Sequence, residues 1–143
     1  MHPWVYAGAI DAVEGEPRDG DAVDLCTHAG AFVARGFYNS QSKIRVRLYA
    51  WDPGVALDAD FFRSKLADAI RLRRETLALP ATCRLVFSEA DGLSGMVVDQ
   101  FADWLVVQFT SLALAERRDL LADLLMDLVR PSGVYLRTER GIG

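Results

Sequence analysis

The alternation of apolar and polar positions is clearest at residues 43–51, where every second side chain is apolar. Such a period of two predicts a half-buried strand. Its apolar side consists of Ile44, Val46, Leu48 and Ala50. Three shorter candidate strands precede it, at residues 4–10, 22–27 and 31–38. The turn at His28–Gly30 predicts a hairpin between the last two. Four strands in a stretch of this length are typical of a small barrel or a curled sheet.

Helical spacing replaces this alternation after residue 57. Asp58 is predicted to cap a helix that is rich in Lys and Arg and ends near Pro80. The rest of the chain predicts three strands, a helix and a closing strand. Their bounds are Arg84–Ser88, Gly95–Phe101, Trp104–Thr110, Leu112–Val129 and Gly133–Thr138. The order ββ-β-α-β predicts a helix packed on one face of a mainly antiparallel sheet.

The expected fold class is therefore α+β, in two domains. Residues 1–74 would form the small β-barrel with its helix, and residues 75–143 the α+β domain. The helix that contains Arg73 and Arg74 would lie at the boundary between them.

Composition narrows the compartment and the class of partner. The 143 residues are 51% apolar, enough to bury a core, and carry a net charge of −4. Residues 35–74 nevertheless hold nine basic against four acidic side chains, an asymmetry that favours a nucleic-acid partner. No apolar run is long enough for a membrane span, and the start lacks the pattern of a secretory signal. We therefore expect a cytoplasmic protein with Cys26 and Cys83 as reduced thiols.

The polar side of the alternating strand is the candidate RNA-binding surface. Lys43, Arg45 and Arg47 would stand about 6.5–7 Å apart, which approximates the spacing of successive phosphates. Tyr38 and Asn39 precede them and offer a stacking ring and a base-edge amide. The alternative interpretation is that these three cations lie on an ordinary solvent-exposed face of the strand. The Lys and Arg residues of the helix that follows can likewise belong to an ordinary solvent-exposed helix surface.

Three carboxylates, Glu89, Asp91 and Asp99, raise the possibility of a metal site or of acid–base catalysis. The step Asp91–Gly92 is also the usual sequence of a hairpin turn, and no histidine lies nearby. The chain has neither a glycine-rich dinucleotide loop nor a phosphate-binding loop. We therefore expect no catalytic residue, no metal site and no cofactor pocket within this chain.

Residues 84–101, followed by Trp104–Phe109, closely resemble the middle domain of bacterial S-adenosylmethionine-dependent 23S rRNA cytosine-C5 methyltransferases. Residues 2–10, 30–47, 61–62, 69–74 and 135–137 resemble other parts of that family in the same order. The resemblance implies an RNA-recognising PUA domain in the first half and adds Arg35 to the predicted RNA-binding set. It also implies a Rossmann-like catalytic domain beyond Gly143, which would hold S-adenosylmethionine and the catalytic cysteine.

Two positions depart from the family pattern. The family commonly has proline at the position of Ser94 and a basic residue at that of Gln100, and both are expected to be turn or surface positions. Neither Cys26 nor Cys83 matches the family's catalytic cysteine, whose thiolate would attack C6 of cytosine before the methyl group reaches C5.

The sequence therefore favours the RNA-binding and positioning portion of a ribosomal RNA methyltransferase, with ribosomal RNA as its partner and no membrane contact. One alternative is a protein-interaction module that forms a homodimer through a sheet edge or the leucine-rich helix. Another is a small enzyme that uses the acidic residues near position 90. A related guanine-methylating branch leaves the target base open.

Overall fold

The computed structural model describes residues 2–76 and 82–139. The first half forms a four-stranded antiparallel sheet with the order β1-β4-β3-β2. Its strands are β1 (Trp4–Tyr6), β2 (Ala22–Cys26), β3 (Phe32–Tyr38) and β4 (Ile44–Ala50). The predicted hairpin between β2 and β3 is confirmed, since Gly30 takes a φ of 90° in the turn. The strand predicted at residues 4–10 is shorter, because the chain passes into a 3-10 turn at Ala7–Ala9.

Strand β4 contributes to two cores. Its predicted apolar side is confirmed, with Val46 and Leu48 buried beside Ala34 in a small cluster. Its other side was predicted to face solvent throughout, and this is wrong at one end. Tyr49 is only 2% exposed and packs in the larger core with Phe37.

Helix α1 (Ala59–Arg71) follows the first sheet. Its predicted cap is confirmed, because the Asp58 carboxylate accepts a hydrogen bond from the Phe61 N–H at 3.0 Å. Phe62 and Leu66 form its fully buried side. The chain continues as a π-helical turn over Leu72–Thr76, and the end predicted near Pro80 lies outside the described residues.

The second half forms a mixed sheet of four strands in the order β5-β6-β7-β8. Its strands are β5 (Cys83–Phe87), β6 (Met96–Phe101), β7 (Trp104–Phe109) and β8 (Gly133–Thr138). The first three are antiparallel neighbours, and β8 runs parallel to β7. The link from β5 to β6 is not a two-residue hairpin. It contains a 3-10 turn at Ser88–Asp91 that ends at Gly92 with a φ of 71°.

The crossover from β7 to β8 contains two helices instead of the predicted one, α2 (Leu112–Glu116) and α3 (Arg118–Val129). The break falls at Arg117, whose side chain bonds the carbonyl oxygens of Ala113 and Gly20 at 2.9 and 3.0 Å. Its guanidinium also lies 4.1 Å from the centre of the Phe37 ring. Arg117 thus ties the helical layer to the first sheet.

One core cluster joins the two halves. Phe37 and Tyr49 of the first sheet and Phe62 of α1 belong to the same cluster as the buried side of the second sheet. No helix within residues 2–76 and 82–139 is both long and apolar enough to cross a membrane. The domain boundary between residues 74 and 75 stays a prediction, and it falls within the π-helical turn.

Candidate nucleic-acid interface

The six residues predicted to bind RNA do not share one surface. They lie in three places along β3 and β4 and in the loop between these strands. Arg35 packs at one end, Arg47 lies at the contact between the two halves, and the remaining four lie on or beside the loop at residues 39–43. The three cations predicted to form one row are therefore in different environments.

Arg35 holds the first sheet to the loop before α1. Its Nε donates to an Asp24 carboxylate oxygen at 2.7 Å, and its Nη1 donates to the carbonyl oxygen of Pro53 at 3.2 Å and to that of Val55. Phe32 lies against the guanidinium, with its ring centre 5.4 Å from Cζ. These contacts occupy most of the donors of Arg35.

Arg47 belongs to a junction cluster that we define as Trp4, Arg47, Glu89 and Ser94. Its Nη1 donates to the Ser94 hydroxyl at 2.9 Å and lies 3.5 Å from the Glu89 carboxylate. The indole N–H of Trp4 donates to the same carboxylate at 2.9 Å. The Ser94 hydroxyl donates to it at 3.0 Å. Arg47 also lies over the Trp4 ring at 5.4 Å from its centre.

The junction cluster holds Glu89 as a carboxylate. Burial would raise the pKa of Glu89, but hydrogen bonds from Ser88, Ser94 and Trp4 outweigh it and leave the pKa below its ordinary value. Ser94 was predicted to lie at a turn or on the surface. It lies in a turn, but it is 1% exposed, because both halves close over it. Tyr49 adds a hydrogen bond from its hydroxyl to the Ser94 carbonyl oxygen.

Lys43 and Arg45 are the two predicted cations that line an open depression, of about 320 Å³. Its wall is formed by Tyr6, Ala7, Gly8, Gln41, Ser42, Lys43 and Arg45. Arg45 is oriented by a hydrogen bond from its Nε to the Ser42 carbonyl oxygen at 3.3 Å. Lys43 is exposed, and Tyr6 is 51% exposed. The depression therefore combines two cations, an aromatic ring and amide and hydroxyl groups.

The loop that carries this depression is fixed by its own hydrogen bonds. The Asn39 side-chain oxygen accepts from the Gln41 N–H at 3.0 Å, and Asp19 accepts from the Ser40 N–H at 2.7 Å and from its hydroxyl. These bonds from Ser40 lower the pKa of Asp19. Asn39 therefore shapes the loop, while half-buried Tyr38 packs against the small core cluster.

The carboxylates considered for metal binding or catalysis have separate structural partners. Asp91 pairs with Arg73 at 2.6 Å, where both side chains are nearly buried. Asp99 pairs with Arg84 at 2.7 Å. The described residues contain no group of three or more side chains arranged to hold a metal ion.

The Arg residues at the end of helix α1 and in the π-helical turn that follows are only partly exposed to solvent. Arg71 pairs with Asp68 at 3.3 Å, as an exposed helix residue would. Arg74 instead donates to the Gln100 side chain at 2.7 Å. Gln100 was expected at a turn or surface position, but it is 8% exposed in β6, and the amide bridges Arg74 to the Ala102 carbonyl oxygen.

The described residues do not fit S-adenosylmethionine. The only βαβ unit among them runs from β7 to β8, and its first turn, Thr110–Ser111, contains no glycine. Ser111 is buried there, and Ala113 and Leu114 pack into the core. A nucleotide cofactor needs an open turn that lets the backbone approach its polar groups.

Sequence reasoning did not identify several of the residues that form these sites. Tyr6 and Gln41 line the depression, but they come from separate segments that meet only when β1 pairs with β4. Trp4 and Ser94 meet across 90 residues of sequence. Contacts between such distant segments leave no pattern in the local sequence.

Comparisons with known proteins agree with this architecture. Residues 1–51 match the model of the PUA-like domain. The chain is 36% identical over 143 residues to ribosomal RNA large subunit methyltransferase I of Aeromonas hydrophila, and 35% identical over 141 residues to the protein of that name from Escherichia coli. Each match covers 96% of this chain and 35% of the relative.

A solved structure described as "a putative methyltransferase complexed with SAH" shares the fold, with a TM-score of 0.82 at 16% sequence identity. The superposition covers 99% of this chain and 37% of that one. The chain thus spans about a third of the length of the relatives it matches. It matches the PUA-like domain over residues 1–51, and it is similar over nearly its whole length to proteins named as ribosomal RNA methyltransferases.

Proposed function

We propose that this chain is the RNA-binding and positioning portion of a ribosomal RNA methyltransferase, and that it binds RNA at the depression beside β4. Lys43 and Arg45 would neutralise two phosphates, and Tyr6 would stack on a base. Gln41 and Ser42 supply polar groups that can contact sugar or base edges. Ribosomal RNA is the partner that the names of the relatives suggest, and the cytoplasm is the compartment in which it would be met.

The observation that carries this proposal is the position of Lys43 and Arg45. Both lie in the segment that matches the PUA-like domain, and both line an open surface. Arg35 and Arg47 are engaged in structural contacts instead. The RNA contact is therefore assigned to two of the four predicted cations.

The proposal for the whole protein is broader. Its reaction would be methyl transfer from S-adenosylmethionine to C5 of a cytosine in 23S rRNA, as the sequence resemblance implies. No step of that reaction is assigned to residues of this chain, which would supply binding energy remote from the reacting atoms.

Binding of a structured ribosomal RNA segment tests the assignment. We expect Lys43→Ala/Arg45→Ala to weaken binding by at least tenfold at moderate salt, measured by fluorescence anisotropy, since two phosphate contacts are lost. The matched control is Arg63→Ala/Arg71→Ala, which also removes two cations but from the exposed side of α1. Equal losses in the two double variants would show a general charge effect and contradict the assigned surface.

The alternative of a dimerisation module predicts a different result. The leucine-rich side of α3 is already used, since Leu121, Leu124 and Leu125 are buried in the core. A sheet edge would have to form such a contact. A stable dimer whose mass does not change with protein concentration and which ignores RNA would favour this alternative.

A further inference from the structure

The outer face of the second sheet carries four exposed aromatic side chains. Their exposed fractions range from 51% to 62%. Such exposure is unusual, because large aromatic side chains contribute most when they are buried in a core or an interface. They are Phe87 on β5, Phe101 on β6, Trp104 on β7 and Tyr135 on β8. Exposed apolar patches of this kind mark surfaces that bind a partner.

Strand register places these rings on one face. Phe101 pairs directly with Trp104 across the β6–β7 hairpin. Val106, two residues after Trp104, pairs with Tyr135. Because alternate residues of a strand share a face, Trp104, Val106 and Tyr135 project together. Phe87 joins them through its pairing with Val97 of β6. We call this set of four rings the aromatic face.

The Trp104 ring lies over Gly133 of the neighbouring strand. Its partner on β8 is Gly133, and a Cβ at that position would overlap the six-membered ring of the indole. The ring therefore covers the backbone of Gly133 with one side, while the residue stays 56% exposed. An aromatic ring with an open side is a surface on which another planar ring can stack.

The charge around the aromatic face differs from that of the second half as a whole. Arg84 and Arg137 lie on this face, since Arg84 pairs with Asp99 and Arg137 with Gln108 in the register. Asp99 is neutralised by Arg84, which also lies 5.1 Å from the centre of the Phe87 ring. The opposite layer contains α2 and α3, which carry Glu116, Asp119, Asp123 and Asp127. Four acids of this half thus lie in the layer away from the rings.

We propose that the aromatic face is a second RNA-binding surface, which takes unpaired bases by stacking. Trp104 and Tyr135 would stack on bases, and Arg137 would contact the adjoining phosphate. Arg137 lies beside these rings, and Asp99, the one acid within the strands of this face, is already paired with Arg84, which favours RNA over a protein partner. The inference rests on the proposed function only in taking RNA as the ligand, since it uses none of the residues of the depression.

The test uses an unstructured RNA of about eight nucleotides, within the range that one such surface covers. Its affinity for the wild-type chain is compared with that for Trp104→Ala, Tyr135→Ala and Trp104→Phe. We expect about a tenfold loss for each alanine variant and a smaller loss for phenylalanine, which keeps an aromatic ring. An abasic strand of equal length should bind all four proteins equally. Met126→Ala is the control, since Met126 is an exposed apolar residue on α3.

The two surfaces give separable outcomes. A loss in Lys43→Ala/Arg45→Ala with unchanged binding in Trp104→Ala and Tyr135→Ala would overturn this inference and leave the proposed function standing. A loss in the aromatic variants alone would support the inference and contradict the assigned depression. The protein could also form a dimer that dissociates in the Trp104→Ala variant while the RNA affinity stays unchanged. The aromatic face would then be a protein interface, and the inference would be overturned.

Discussion

Ser94 receives hydrogen bonds from two residues of the first half of the chain and gives one to the second. Trp4 and Arg47 donate to its hydroxyl, at 3.2 and 2.9 Å, and the hydroxyl donates to Glu89. The carboxylate of Glu89 is thus the final acceptor of a small network. Buried networks of this kind favour one arrangement of the parts they join, because any shift leaves a polar group unpaired.

Glu89→Gln tests the charge in this network. The folded-state pKa of Glu89 lies below its ordinary value of 4.5. The ionised carboxylate therefore stabilises the fold at pH values above 4.5, and this contribution is lost as the pH falls through the folded-state pKa. At neutral pH we expect the variant to lose about 1 kcal/mol of unfolding free energy, a modest amount because Glu89 is 33% exposed. Unfolding in denaturant at pH 7 and pH 4 measures the difference.

The gap between wild type and Glu89→Gln should narrow at the lower pH. Asp123→Asn, on the exposed side of α3, is the control and should change stability little at either pH. A gap that stays constant between the two pH values would contradict the role assigned to the ionised carboxylate.

Gly36 allows β3 and β4 to approach closely. A Cβ at this position would overlap the carbonyl oxygen of Arg47, which is backbone and cannot move aside cheaply. We expect Gly36→Ala to cost about 3 kcal/mol, at the upper end of the range for overpacking. Gly8→Ala is the matched control, because no atom lies within 4 Å of its added Cβ. Thermal unfolding of both variants would refute this account if their losses were similar.

At the scale of elements, β4 is central because both of its sides are used. One side packs on the small cluster around Ala34, while Tyr49 on the other enters the core shared with the second sheet. Only its start, near Lys43 and Arg45, borders the open depression. The position of a cation along this strand therefore decides whether it has a structural or a binding role.

Helix α1 brings Phe62 and Leu66 into the shared core, so its start must be well defined. Asp58→Ala removes the side-chain acceptor of the Phe61 N–H and should cost about 1 kcal/mol. Asp60→Ala, also exposed and within the first turn, removes a charge without a cap and should cost less than half as much. Denaturant unfolding would contradict the assignment if Asp60→Ala were the more damaging change.

For the whole molecule, the sequence predicted local structure better than contacts between distant parts. Strict alternation identified β4, and Asp58 marked the start of α1. Both signals are local, since alternation and capping depend on residues a few positions apart. The α+β class and the PUA-like first half also agree with the structure and with the matched domain model.

Long-range packing explains what could not be predicted. Arg47 and Tyr49 read as parts of a solvent face, because nothing near them in sequence shows that the second half will cover them. The sequence likewise predicts Arg73 as a surface cation of a helix, whereas in the structure it forms a nearly buried ion pair with Asp91. Arg117, at the break between α2 and α3, bonds the carbonyl oxygen of Gly20, which lies 97 residues away. Such contacts exist only once the two sheets have come together.

The salt dependence of RNA binding tests the central claim most directly. The logarithm of the binding constant is plotted against that of the salt concentration for wild type and for Lys43→Ala/Arg45→Ala. Loss of two phosphate contacts should reduce the slope by about 1.5, since each contact contributes about 0.7–0.9. Arg63→Ala/Arg71→Ala should leave the slope nearly unchanged. An unchanged slope in the Lys43/Arg45 variant would contradict the claim that this chain binds RNA through the depression beside β4.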